Sequence, residues 1–215
     1  MNFFNVDGKF AHFMTRLFDL AVLNFLFLFT SIPLLTIGSS YSALYGVTLK
    51  MSKNCDSYIC KSYFKYWKAH FNRATLLWLL LVFFGAFIVL DRFLINYMNN
   101  SFQYLNICFS TLLLLWTMTV SYVFPLLAHF NNDVKQTLRN ALFMSIRHLP
   151  WTLLILIINI VPAISIVILP PLPSTLTILF MMTIGFSTLA LLNSYIFKKR
   201  IFPVYDIPSI KSEHF

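Results

Sequence analysis

The chain has 215 residues, of which 59% are hydrophobic and only 11% are charged, and its formal net charge is +9. A soluble domain is about 45–50% apolar and about 25% charged, so this composition excludes a soluble fold and predicts an integral membrane protein. The net charge does not indicate nucleic-acid binding, because the basic residues lie in the gaps between apolar runs and no zinc-finger, RNP-like or helix-turn-helix motif accompanies them.

The apolar runs predict an all-α membrane bundle of five or six transmembrane helices in one polytopic domain, residues 1–215. A span needs about 20 apolar residues, and five runs approach or exceed that length. The run Gly38–Lys50 is shorter, so it predicts either a short returning span or a helix lying flat at the interface. The predicted spans are 17–37, possibly 38–50, 74–90, 105–130, 151–169 and 174–197.

Four residues are predicted to break or bend these helices. Pro33 and Gly38 stand where the first span should end, while Pro125 and Pro162 lie inside later spans. Proline removes a backbone donor and clashes with the preceding turn, and glycine is a weak helix former, so all four are candidate hinges. Small residues at Gly38, Ser42 and Gly46 recur at every fourth position, which is typical of closely packed membrane helices.

Polar side chains inside the apolar runs are the candidate functional residues. Such residues are costly in a bilayer and mark functional sites, although they also join neighbouring helices by hydrogen bonds, which is the more common role. The candidates are Asp19, Asn24, Asn159 and Asn193. Asp19 is the strongest single candidate because it is the only acid in the first run, and Arg16 and Arg73 are its candidate partners.

Two basic amphipathic helices are predicted beside the membrane, Tyr58–Arg73 and Asp133–Leu149. In the first, lysines lie on one helical face and aromatic residues on another, a pattern typical of helices on anionic lipid surfaces. Its predicted membrane-surface residues are Lys61, Lys65, Lys68 and Arg73.

The distribution of Lys and Arg predicts the orientation. Thirteen of the sixteen lie in the gap after the first span, in 131–150 or in the C-terminal tail, which places these segments and the C-terminus in the cytoplasm. Five spans would put the N-terminus outside, and a sixth span at Gly38–Lys50 would put it inside.

No catalytic or metal-binding motif is recognisable. The sequence lacks a phosphate-binding Gly-x-x-x-x-Gly-Lys loop, a Gly-x-Ser-x-Gly elbow and a His-Glu-x-x-His pair. Cys55 and Cys60 are too far apart for the usual redox or zinc spacing. We therefore expect a non-enzymatic protein with no metal and no cofactor.

Several segments in the first 80 residues resemble the YesL-like family of bacterial polytopic membrane proteins, the domain of unknown function DUF 624. The most specific is Ile32-Pro33-Leu34-Leu35-Thr36-Ile37-Gly38. The others are Asp19-Leu20 with Leu23-Asn24, Ala43-Leu44-Tyr45, Leu49-Lys50, Tyr63-Phe64-Lys65 and Phe71-Asn72-Arg73-Ala74-Thr75. The resemblance implies a small protein of the bacterial cell membrane whose genes often lie beside ABC-type carbohydrate importers, and it implies no catalytic residue.

Together these features predict an accessory membrane protein that binds a partner, with subunits of an ABC importer as the expected partner. One alternative is a small transporter or permease acting as a homo-oligomer, since Pro- and Gly-interrupted spans can form binding sites. Another is a lipid-responsive membrane protein, for which the basic helix is the evidence.

Overall fold

In a computed structural model of the protein, residues 9–52, 58–97, 103–130 and 132–205 are described, and all regular structure among them is helical. The α-helices are α1 Lys9–Thr30, α2 Ile37–Met51, α3 Ile59–Tyr97, α4 Gln103–His129, α5 Val134–Arg147, α6 Leu149–Ile168, α7 Pro171–Phe180 and α8 Phe186–Ile196. A π-helical turn, Met181–Gly185, joins α7 to α8, and a second, Phe197–Ile201, follows α8 before a 3-10 turn at Phe202–Val204.

In the part of the chain that the structure describes, five helical stretches are long and apolar enough to cross a membrane. They are Phe13–Thr30, Ile59–Ile95, Tyr104–His129, Leu149–Ile168 and Pro171–Val204. The prediction of an all-helical, multi-pass membrane protein is therefore confirmed. At 15 residues, α2 is not one of the five, because it is shorter than the about 20 residues that a span requires.

The short helix α2 is nonetheless the centre of the fold. Eleven of its 15 residues are buried, and it packs against α1, α3, α4 and α8. A Cβ atom added to Gly38 would lie 2.6 Å from the Cβ of Trp78, and one added to Gly46 would lie 2.6 Å from the ring of Tyr66. Both glycines therefore face α3 at very short range, which confirms the close packing predicted from the spacing of small residues.

The first two helices form a hairpin. The chain leaves α1 at Thr30 and passes through Pro33, whose backbone is extended (φ −73°, ψ 114°) and which cannot donate a helical hydrogen bond. At the open end, the Arg16 Nη1 donates to the carbonyl oxygen of Met51 at 3.4 Å. The beginning of α1 therefore lies beside the end of α2.

The closed end of this hairpin lies beside the middle of α3. The Trp78 Nε1 donates to the carbonyl oxygen of Leu34 at 3.0 Å. Because α3 continues to Tyr97 with a rise of about 1.5 Å per residue, it extends about 28 Å beyond this contact. The hairpin thus reaches only part of the way along its neighbour.

Several predicted boundaries differ from those in the structure. Tyr58–Arg73 is not a separate amphipathic helix followed by a span, because one unbroken helix, α3, covers both. No proline interrupts Ile59–Tyr97, so the change from basic to apolar composition at Arg73 does not end the helix. The second amphipathic segment is separate: α5 ends at Arg147, and His148 adopts a non-helical conformation (φ −110°, ψ 41°).

The other differences lie at helix ends. The first helix spans Lys9–Thr30 rather than 17–37, because Pro33 ends it early. Helix α4 continues through Pro125 and α6 continues through Pro162, while Gly38 lies within the first turn of α2. Of the four predicted hinges, Pro33 is the one that lies outside the α-helices, three residues after the end of α1.

Burial is concentrated around α2 and falls away from it. The buried core includes Leu23, Leu44, Leu77 and Leu127. In contrast, the only buried residues of α6 are Thr152 and Ile155, and α7 has none.

Candidate functional site

Asn24 on α1 fastens the π-helical turn of the last long helix. The residue is fully buried, and its Nδ2 donates to the carbonyl oxygens of Met181 at 3.1 Å and Met182 at 2.8 Å. Its Oδ1 accepts from the backbone N–H of Ser187 at 3.2 Å. A π-helical turn changes the partners of nearby carbonyl groups, and π-turns are frequent at functional sites. Asn24 thus supplies polar partners at the point where the regular helix is interrupted.

Asn159 and Asn193 meet in a second polar cluster next to α2. The Asn193 Nδ2 donates to the Asn159 Oδ1 at 3.0 Å and to the Tyr45 hydroxyl at 3.2 Å. Among the described residues, the buried Asn193 Oδ1 has no hydrogen-bond partner. One turn further along, the Thr48 and Ser194 hydroxyls share a hydrogen bond of 2.8 Å. Amides and hydroxyls from three helices therefore converge around α2.

A third cluster, which the sequence reasoning missed, holds the turn between α1 and α2. The Thr30 hydroxyl shares a 2.6 Å hydrogen bond with the hydroxyl of Tyr63 and accepts one from Ser40 at 2.9 Å. The Thr36 hydroxyl donates to the carbonyl oxygen of Thr30 at 2.6 Å. Hydroxyl groups at the closed end of the hairpin therefore bind one another and α3.

A fourth cluster supports the break between α5 and α6. Thr152 is fully buried, and its hydroxyl donates to the carbonyl oxygens of Ser145 at 2.7 Å and His148 at 3.0 Å. The Tyr122 hydroxyl shares a 2.7 Å hydrogen bond with the hydroxyl of Thr152. Desolvation, together with the neighbouring charge of Arg147, lowers the pKa of His148.

Asp19 was the strongest candidate from the sequence. It is half-buried on α1 and has an interaction partner within the fold. The structure therefore brings Asn159 and Asn193 together and places Asn24 against the π-turn. The hydroxyl residues of the third and fourth clusters carry no sequence signal beyond their position in or near apolar runs.

Basic side chains gather at one end of the bundle, where α1 and α3 begin and α2 and α4 end. The Lys198 Nζ donates to the carbonyl oxygen of Ser52 at 2.7 Å. The Arg200 guanidinium lies 5.0 Å from the ring centre of Trp151, a cation–π contact. We call this end of the bundle the basic end, and it includes Lys61, Lys65, Lys68 and Arg73 of α3.

Among the described residues, two cavities open at the basic end. One, of about 690 Å³, lies between the end of α4, α5 and Tyr205, and includes Gln136, Phe143 and Arg147 in its wall. The other, of about 630 Å³, lies between α3 and the end of α4. It is called the basic cavity below, and Lys68, His70 and Arg73 line it. Lys61 and Lys65 are exposed on α3 outside it.

The part of the chain that the structure describes contains no group of three or more His, Cys, Asp or Glu residues placed to hold a metal ion. The chemistry that these residues offer is binding. Buried amides and hydroxyls join neighbouring helices, and the cations of the basic end can bind anionic groups.

Comparison with known proteins supports the family resemblance. The family model described as "Protein of unknown function, DUF624" matches residues 20–92, which include the α1–α2 hairpin turn, all of α2 and most of α3. The chain is also 26% identical over 157 residues to the uncharacterized protein YteU of Bacillus subtilis (strain 168), an alignment that covers 71% of each chain. No solved structure matches. The resemblance to the YesL-like DUF624 family that the sequence predicted is confirmed.

Proposed function

We propose that this chain is a non-enzymatic membrane protein that binds a partner protein within the bilayer, as an accessory component of an ABC-type carbohydrate importer. The family resemblance motivates the importer as the partner. The observation that carries the binding role is the α6–α7 hairpin, whose residues from Leu156 to Phe180 are never buried.

This hairpin has an unoccupied apolar face in the single chain. Ile157 is 61% exposed and Leu176 is 66% exposed, and most of the side chains between them are exposed as well. Lipid tails are as apolar as leucine, so association there depends on close packing rather than on the hydrophobic effect. Ala163, a small exposed residue in α6, offers a partner helix a place for close approach.

Affinity purification in mild detergent tests this proposal. We expect importer subunits to be recovered with the native chain and lost with Ala163→Trp, whose ring would hold a partner helix away. The matched control is Ala86→Trp, which adds the same ring to an exposed alanine of α3 and should retain the partner. Recovery of the chain alone would refute the proposal, and recovery of a second copy alone would show a homo-oligomer instead.

The orientation we propose puts the basic end in the cytoplasm of a bacterial cell. The positive-inside rule supports it, because most Lys and Arg residues belong to segments at that end. In this orientation the beginning of α1 and the end of α8 face the same side of the membrane, because Arg16 contacts the end of α2 and Lys198 contacts Ser52.

A second candidate function, transport by the chain itself, is favoured by one observation. The last long helix is interrupted by the π-turn Met181–Gly185 in its middle, and interrupted helices form substrate sites in transporters. One observation opposes transport. The Nδ2 and the Oδ1 of Asn24 are both hydrogen-bonded within the chain, so Asn24 offers no donor to a substrate. Uptake of a sugar or ion into liposomes containing only this protein would favour transport, and no uptake would exclude it.

A further inference from the structure

The basic cavity has the composition of an anion site. Its α3 wall carries Lys68, His70, Asn72 and Arg73, and its α4 wall carries His129. Neither an Asp nor a Glu is among the residues that line it. The volume of about 630 Å³ falls within the about 300–1,000 Å³ typical of small-ligand sites.

The end of α4 does not cancel this positive charge. The last carbonyl groups of a helix carry about half an elementary negative charge in total. Lys68 alone contributes a full positive charge on the other wall, and Arg73, which also has an interaction partner, adds a second cation beside it. The excess is therefore positive, and an arginine guanidinium is shaped to bind two oxygens of a phosphate group at once.

The position of the cavity along α3 indicates the source of such a phosphate. Arg73 is the last charged residue before the uncharged run Ala74–Leu90 of α3. That run is about 25 Å long at about 1.5 Å per residue, close to the thickness of the hydrocarbon core of a bilayer. A cavity at its end lies at the level of the lipid headgroups.

We propose that the basic cavity binds the phosphate group of an anionic phospholipid, with Lys68 and Arg73 as its charged contacts. A soluble phosphate ester offers the same chemistry and is the other possible source. The site goes beyond the proposed partner binding and does not depend on it, since its ligand, its location and its test are separate.

The test measures binding of short-chain phosphatidylglycerol to the full-length protein in a neutral detergent by native mass spectrometry. Loss of two charges worth about 1 kcal/mol each corresponds to about 30-fold weaker binding by the double variant Lys68→Gln/Arg73→Gln. The matched control, Lys61→Gln/Lys65→Gln, removes the same charge from the same helix outside the cavity and should bind nearly as well as the native chain. Lys68→Gln alone, an exposed residue whose loss leaves the fold intact, should bind about fivefold more weakly.

Three further outcomes are informative. Equal losses in the two double variants would overturn the proposal, because diffuse surface charge would then explain binding. Equal binding of short-chain phosphatidylcholine, which has no net charge, would overturn it as well. Displacement of the lipid by inorganic phosphate at similar concentration would support the site and assign it to a soluble phosphate.

Discussion

Gly38 is the position at which a single methyl group should disturb the fold most. In Gly38→Ala the new Cβ would lie 2.6 Å from the Cβ of Trp78 and would also overlap the backbone oxygen of Ala74. Neither atom can rotate away, because both belong to or adjoin the main chain of α3. Helix α2 cannot retreat without pressing on α4 or α8, since it packs against them as well.

The expected cost follows from two opposing terms. Overpacking of a well-packed interior costs about 1–3 kcal/mol, and replacing glycine by alanine in a helix returns about 1 kcal/mol. The two terms leave a net loss of up to about 2 kcal/mol in the free energy of unfolding, and we expect Gly38→Ala near the upper end because the atoms in its way belong to or adjoin the main chain.

Gly185→Ala is the matched control. A Cβ there would lie 2.5 Å from the Met181 Sδ, the far part of a flexible side chain that can move, although the Phe180 oxygen is also close at 3.1 Å. We expect its free energy of unfolding to change by less than about 1 kcal/mol, because the gain in helix propensity offsets the adjustment. Equilibrium unfolding in mixed micelles, followed by tryptophan fluorescence, measures both variants. If Gly38→Ala proves as stable as Gly185→Ala, the contact between α2 and α3 is looser than the structure has it.

Three further predictions concern Asn24, the hairpin and His148. Asn24→Ala leaves the Met181 and Met182 carbonyls without their side-chain partner, so the free energy of unfolding should fall by about 1–3 kcal/mol, and a smaller loss than in the half-buried Asn159→Ala would contradict the assigned role. Two single-cysteine variants test the α1–α2 hairpin: one carries only Phe10→Cys, and the other keeps only the native Cys60. An impermeant thiol reagent should label both from the same side of the membrane, because the beginning of α1 lies beside the end of α2. Labelling from opposite sides would exclude the α1–α2 hairpin. The lowered pKa of His148 means that the unfolded chain binds its proton more readily, so stability should fall as the pH drops below about 6.5, and His148→Gln should flatten that dependence of the unfolding temperature; identical pH profiles would refute it.

Composition and periodicity were enough to predict the helical membrane fold and the packing face of α2. Glycine at positions 38 and 46 has no Cβ, and α2 therefore approaches α3 closely at both positions. The spacing of small residues was enough to predict this contact. The change of composition at Arg73 was misleading, because a helix ends where its backbone is interrupted and not where its charge changes. Pro33 is such an interruption, and there the helix does end.

The partners of the buried amides were beyond the sequence. Asn24 was identified as a costly polar residue in an apolar run, but its partners lie more than 150 positions away and two of them are backbone oxygens. Those oxygens lie at the π-turn Met181–Gly185, and no residue composition is diagnostic of a π-turn. Asn193 and Asn159, in contrast, bind each other, so their pairing depends on which helices become neighbours.

The turn between α1 and α2 has the properties of a turn in lipid rather than in water. Its side chains are apolar and open, with Ile32 72% exposed and Leu34 75% exposed. In hydrocarbon, each backbone polar group without a partner costs several kcal/mol. Here the carbonyl oxygen of Leu34 accepts from Trp78, and that of Pro33 accepts from the N–H of Thr36 at 2.9 Å.

The most specific sequence element of the chain, Ile32 to Gly38, can be explained by these requirements. Pro33 ends α1, and the Thr36 hydroxyl satisfies the carbonyl oxygen of Thr30 that the break exposes. Gly38 then lets α2 return against α3 without a side chain between them. A polar turn would satisfy the same backbone groups with water, so the apolar composition indicates that water is absent there. The closed end of the hairpin contacts α3 at Trp78, about 7 Å beyond Arg73 and about 28 Å short of the end of α3. We therefore expect the closed end to dip into the near edge of the hydrocarbon core and the chain to return to the side from which it came.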